Sequence, residues 1–244
     1  ENCAGDTSIA LSMISDDSFY MEMKKDYAPE MVTAFIRLNG ATVGCVANRS
    51  EVYTDGEKTA TYDAALTAAG CEKAAAFVNF CNAFEIPVLT LVNVDGYKNC
   101  KCNEKKIAKA AARLTYAFAN ADVPKVTVVV GKENGTAGLT MNSKSIGSDI
   151  VYAWKNAKIG VMEAAPAVKI MYADEITKAD NAAALINEKA AQYREMQSSA
   201  LAAAKRGYVD DIIEASETRQ RVAAAFEMLF TKREDRPSKK HGTI

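Results

Sequence analysis

Apolar positions along the chain follow two periods, and each change of period marks a new element. Residues 8–14 read as a short helix, with Asp6 or Thr7 placed to cap it. Two β-rich runs, 32–38 and 42–47, flank Asn39-Gly40, a pair that tolerates positive φ at both positions and so suits a two-residue hairpin turn. Beyond Gly70 helices and strands alternate. Ala74, Phe77, Val78, Cys81 and Phe84 recur at helical spacing over 71–84, and Pro87 ends that helix. Residues 88–94 form a continuous apolar run of the kind buried on both faces, closed by Asp95-Gly96. A helix over 104–119 leads to a second buried strand at 126–131, and the turn 134–138 opens what the pattern predicts to be a third helix. Further strands are expected at 159–162 and 208–213, separated by an Ala-rich helical segment over 179–204. Ser216 is placed to cap a last helix, 217–232.

Apolar strands alternating with helices predict an α/β fold with a mostly parallel sheet. A doubly wound sheet and a spiral of strand–strand–helix units both fit, and the early hairpin with its well-separated later strands favours the spiral. No Pro/Gly/Ser-rich linker divides the chain, so residues 1–244 are read as one domain with a short basic tail over 233–244.

Composition narrows the function classes. A chain 49% hydrophobic and 25% charged is neither disordered nor fibrous. The net charge of −1 makes no electrostatic case for nucleic acid or an anionic membrane surface. No apolar run reaches the roughly 20 residues of a membrane span, and the first residues do not read as a signal peptide. The six cysteines are irregularly spaced and read as free thiols in a reducing cytoplasm. No metal site is predicted, because structural zinc requires paired Cys-x-x-Cys units or Cys with His. Cys100-Lys101-Cys102 is the nearest approach to a metal or redox motif.

The catalytic inventory is short. The chain carries no dinucleotide or phosphate-loop glycine motif and no Gly-x-Ser-x-Gly elbow, and its one histidine, His241, lies near the end. What remains is the strand–turn–helix junction at 130–143. The first N–H groups of a helix have no intrahelical acceptor and carry positive partial charge, so they can bind a developing oxyanion without a titrating side chain. Gly135 and Gly138 are equally consistent with a tight turn and close packing alone.

Residues 71–92 resemble the carboxyltransferase component of biotin-dependent acyl-CoA carboxylases and decarboxylases of the propionyl-CoA/methylmalonyl-CoA type. So do Val123-Pro124-Lys125-Val126-Thr127-Val128-Val129, Met141-Asn142-Ser143-Lys144, Tyr152-Ala153-Trp154 and the closing runs at 204–210, 229–233 and 240–242. The resemblance is in order and in register over nearly the whole chain, and it is to the C-terminal, biotin-side half. It implies a crotonase-like (ClpP/crotonase) spiral. It also implies an enzyme moving a carboxyl group between biotin on a separate carrier protein and an acyl-CoA, with an N-terminal-half subunit or domain supplying the thioester side in a homo- or hetero-oligomer.

On that resemblance the biotin-side oxyanion donors are the backbone N–H groups of Thr136 and Ala137, with Gly135 forming the turn. Gly138, Leu139, Asp95, Gly96 and Tyr97 fall around biotin and substrate. Three local differences stand out. The usual second glycine is Thr136, which fits there only at negative φ. The usual Val-Pro-Gly-Phe loop reads Val94-Asp95-Gly96-Tyr97, and the usual Gly-Pro-Glu-Gly-Ala-Val-Asn stretch reads Glu163-Ala164-Ala165-Pro166-Ala167-Val168-Lys169. Two rival readings differ in class. One is a non-catalytic assembly subunit, and the other is a crotonase-like hydratase or isomerase using Glu133 or Glu163.

Overall fold

The computed structural model describes residues 2–234, so His241 and residues 235–244 of the expected tail lie outside the described residues. Helix α1 (Thr7–Ile14) is capped by Asp6, whose Oδ1 accepts the Ser8 N–H at 3.1 Å. Strand β1 (Tyr20–Glu22) lies antiparallel to β2 (Met31–Leu38), which turns into β3 (Ala41–Asn48). The expected turn is present. Asn39 and Gly40 have φ of 51° and 81°, and the Asp16 carboxylate accepts both N–H groups at 3.2 and 2.7 Å. A small hairpin comes next, β4 (Glu51–Thr54) with β5 (Glu57–Thr61), which the sequence reading does not contain. Its strands bury no residue fully, so no hydrophobic alternation announces them.

Strand β6 (Ala65–Leu66) precedes α2 (Ala68–Ala83), which starts ahead of the expected 71 because the Thr67 hydroxyl accepts the Gly70 N–H at 2.9 Å. Then come β7 (Val88–Val94), β8 (Gly96–Tyr97), α3 (Lys101–Asn120), β9 (Lys125–Asn134) and α4 (Gly135–Thr140). The third helix is therefore a six-residue element, and it leads to a strand absent from the sequence reading, β10 (Ile150–Trp154). Asn142, at φ 59°, leaves the helical path just after α4. Strand β11 (Lys158–Gly160) is shorter than the expected 159–162.

Helices α5 (Ala164–Met171), α6 (Ala173–Lys178) and α7 (Ala182–Tyr193) come after it, then a π-helical turn at Arg194–Ser198, α8 (Ala200–Lys205) and β12 (Asp211–Ile213). The Ala-rich segment is thus not one continuous helix. Ser199 is extended, bridges to Lys158 and caps α8 through the Ala202 N–H at 3.1 Å. Strand β12 is likewise shorter than 208–213, because the Asp210 side chain already takes the Val151 N–H at 2.8 Å. The final helix, α9 (Thr218–Met228), is preceded by a 3₁₀ turn whose cap is Glu214, in a reciprocal capping box with Glu217, rather than Ser216.

Among the described residues the main sheet has eight strands, ordered β1-β2-β3-β7-β9-β10-β12, with β11 beside the far end of β9. Every pairing from β3 onward is parallel. The apolar run in β7 is buried on both sides, as its continuity predicts. Val88 and Val92 pack under α2 and α3 with Phe77 and Leu114, whereas Leu89 and Leu91 pack with Leu11 of α1 and Val222 of α9. Helices α5 and α7 share a separate small cluster of Ala164, Val168 and Ala190. No described helix is long and apolar enough to cross a membrane.

Candidate active site at the β9–α4 junction

Strand β9 reaches the site because its pairing with β7 shifts register between Val92 and Val94. The Asn93 side chain fills the irregularity, accepting the Lys132 N–H at 3.1 Å and donating to the Ala4 carbonyl at 2.6 Å. Gly131 lies directly against Asn93 Oδ1, where a Cβ would collide. A bulge of this kind bends a strand and re-aims the residues beyond it, here the stretch Lys132–Asn134 that pairs with β11.

Gly135 then takes φ 57°, and a Cβ at that position would stand 3.0 Å from the Val161 carbonyl oxygen. Thr136, by contrast, is within α4 and is not among the residues of positive φ, so the β-branched residue is accommodated. Ala137 is 2% exposed and anchors α4 in the core, leaving Thr136 and Leu139 on the outward face. Asn134 occupies the N-cap position, yet its side chain does not cap the helix. Its Nδ2 donates instead to Asp95 Oδ1 at 2.9 Å. The first-turn N–H groups of α4 therefore have neither an intrahelical nor an Asn134 acceptor.

Asp95 also binds Lys132, whose Nζ stands 2.7 Å from Asp95 Oδ2 and 2.7 Å from Glu163 Oε1. Burial works against the Lys132 ammonium, but its hydrogen bonds to Asp95 and Glu163 outweigh that cost and raise its pKa. The hydrogen bond from Lys132 correspondingly lowers the Glu163 carboxyl below its ordinary range. This bridge ties the loop after β7 to β9 and to the residue preceding α5. Tyr97 reaches the other side of α4: its hydroxyl lies 3.2 Å from Thr140 Oγ1, which donates to the Thr136 carbonyl at 2.9 Å. Gly96 pairs with Ala65 behind this loop.

Gly138 faces inward. A Cβ there would approach Glu133 Cγ to 2.5 Å. Glu133 itself is 9% exposed, and burial pushes its carboxyl up to about 7. The structure therefore gathers Asp95, Gly135, Thr136, Ala137 and Leu139 about one junction, with Tyr97 bracing it and Gly138 beneath it. Lys132, Asn134 and Thr140 belong to the same constellation and were not singled out in the sequence. Their cue would have been polar residues ending an apolar strand just before a glycine turn. Among the described residues no group of three or more His, Cys, Asp or Glu could hold a metal ion.

The family model described as the carboxyl transferase domain matches residues 1–244. The methylmalonyl-CoA carboxyltransferase 12S subunit of Propionibacterium freudenreichii subsp. shermanii is 40% identical over 98% of this chain, and the methylmalonyl-CoA decarboxylase subunit alpha of Propionigenium modestum is 39% identical over 96%. A crystal structure of transcarboxylase 12S, described as a hexamer with methylmalonyl-coenzyme A and methylmalonic acid bound, superposes with a TM-score of 0.87 at 40% identity over 98% of this chain. The geranyl-CoA carboxylase beta subunit of P. aeruginosa shares the fold, with a TM-score of 0.78 at 24% identity. The fold is thus the expected crotonase-like spiral. This chain spans 44% of the length of the 12S subunit and of the decarboxylase subunit. With a family match along its whole length and relatives near 40% identity, the chain belongs to the carboxyl transferase domain family.

Proposed function

We propose that this chain is the biotin-side half of an acyl-CoA carboxyltransferase. In this reading the backbone N–H groups of Thr136 and Ala137 hold the oxygen of the biotin ureido group. The single observation that carries it is the open first turn of α4, left uncapped because Asn134 is drawn away to Asp95. Such a turn fits a small polar ring system. It offers donors with fixed direction and an outward face of Thr136 and Leu139, and it needs no metal. Biotin, bound to a separate carrier protein, supplies the carboxyl group that is transferred. This chain's residues orient the ureido oxygen and stabilise negative charge developing on it. They cost no reorganisation at that moment, because Gly135 and the buried Ala137 already fix the turn.

The Asp95–Lys132–Glu163 bridge holds the walls of the site in register, and Leu139 presents an apolar edge toward the acyl side. The acyl-CoA is of the propionyl/methylmalonyl class, a reading supported by the 12S and decarboxylase relatives. Its thioester is held by an N-terminal-half subunit or domain, in an oligomer located in the cytoplasm. The hydratase reading is disfavoured because Glu163 is already ion-paired and Glu133 packs inward against Gly138.

The test removes one donor. In enzyme reconstituted with an N-terminal-half partner, Thr136→Gly retains the N–H and leaves turnover at or above the parent rate. Thr136→Pro deletes it and costs about 100- to 1,000-fold in kcat. Circular dichroism establishes that the proline variant is folded, and an amide-to-ester replacement at position 136 removes the same hydrogen without proline. Parental turnover by either folded form would overturn the assignment and leave an assembly role in its place.

A further inference from the structure

Of the six cysteines, Cys45, Cys71 and Cys81 are buried. Burial pushes Cys71 and Cys81 up to about 12 and Cys45 well above its ordinary value, so these three are inert packing groups. Cys100 and Cys102 differ on every count. Cys100 is half-buried and Cys102 exposed, their sulfurs lie 2.9 Å apart, and they open the 20-residue helix α3, with Cys100 at the N-cap. The two sulfurs share a hydrogen bond, and this contact, together with the Asn103 N–H and the charge of Lys98, lowers the Cys100 pKa. The same contact raises that of Cys102. Cys100, at the N-cap of α3 where the positive partial charge of the helix start favours a thiolate, is thus the nucleophile, and Cys102 is a resolving thiol already in contact with it.

We propose that Cys100 and Cys102 form a thiol–disulfide exchange site whose ligand is a low-molecular-weight disulfide. The Cys100 thiolate attacks one sulfur of the disulfide, forming a mixed disulfide on Cys100 and releasing one thiolate. Cys102 then gives up its proton and attacks the Cys100 sulfur, closing the Cys100–Cys102 bond and releasing the second thiolate. Two protein thiols are oxidised, one external disulfide is reduced to two thiols, and no other reactant enters. The site rests on no part of the carboxyl-transfer reading.

The location gives the exchange a structural consequence. Asn103, next in α3, accepts the Ala68 N–H at 2.7 Å and donates to the Lys98 carbonyl at 2.7 Å. It thereby holds the start of α2 and the loop that carries Tyr97.

The experiment exposes the full chain, native by circular dichroism, to oxidised glutathione and tracks intact mass with peptide mapping. The parent is expected to lose two hydrogens in the peptide containing residues 100–102 and to regain them with dithiothreitol. Cys102→Ser, which keeps the nucleophile and lacks the resolving thiol, is expected to stop with one glutathionyl group on Cys100. Cys100→Ser is expected to lose the closed product. Either of two results overturns the proposal: a parent chain carrying separate glutathionyl groups on both sulfurs, or a Cys102→Ser variant in which Cys3 reacts and Cys100 does not.

Discussion

Glu133 and Gly138 show how one residue licenses another. The carboxyl of Glu133 is buried with no counter-charge acting on it among the described residues, and the absent side chain at Gly138 is what makes room for its stem. Gly138→Ala should cost about 1–3 kcal/mol in urea unfolding through overpacking. The raised pKa sets the sign of the pH dependence. An acid whose folded pKa stands above its unfolded one stabilises the fold while protonated. That contribution is whole below the ordinary value of 4.5 and is lost as pH rises through about 7. Relative to Glu133→Gln, the parent should therefore lose on the order of 3 kcal/mol of unfolding free energy between about pH 5 and about pH 8. Denaturant midpoints that track one another across that window would show that Glu133 is solvated in the folded protein.

Single polar contacts determine where several elements start and stop. Helix α1 depends on Asp6, 1% exposed, whose carboxylate accepts from the Ser8 N–H, the Ser8 hydroxyl and the Tyr53 N–H at 3.1, 2.5 and 2.9 Å. Asp6→Ala removes the cap and strands buried donors. It should cost about 2–4 kcal/mol by denaturant unfolding, with Asp6→Asn well below that because it retains one acceptor. A cost below about half a kcal/mol would mean that water replaces the carboxylate. The same logic explains why the Ala-rich segment breaks. Ser199 finds partners in Lys158 and the Ala202 N–H, and these tertiary contacts override the helix propensity of the alanines around it.

On the scale of the whole molecule, the site lies at one end of the main sheet, and in the proposed reading the thioester half of that site belongs to a partner. Val161, Ile170 and Met171, at 77%, 70% and 61% exposed, come after β11 and run along α5 in the segment after the site. The purified chain should therefore sediment as an oligomer and transfer no carboxyl group until an N-terminal-half partner is added. A single-chain mass at micromolar concentration, or full turnover without a partner, would refute the half-site reading. The two-residue strand β8 reads only as a turn, whereas the order of main-sheet strands and helices from 71 to 131, the hairpin at Asn39-Gly40 and the glycine turn at 135 were legible in the sequence. Each is set locally, by a hydrophobic period, a tolerance of positive φ or a helix stop. The β4–β5 hairpin lacks a buried alternation, yet its Asp55-Gly56 turn, at φ 53° and 85°, carries the same local cue as Asn39-Gly40. Strand β10 was not legible, since a short, partly buried strand gains its stability from neighbours far along the chain. The diversion of Asn134 to Asp95 was equally hidden. An asparagine before a helix reads as its cap, and only the folded position of a residue 39 places earlier offers its side chain a charged acceptor instead.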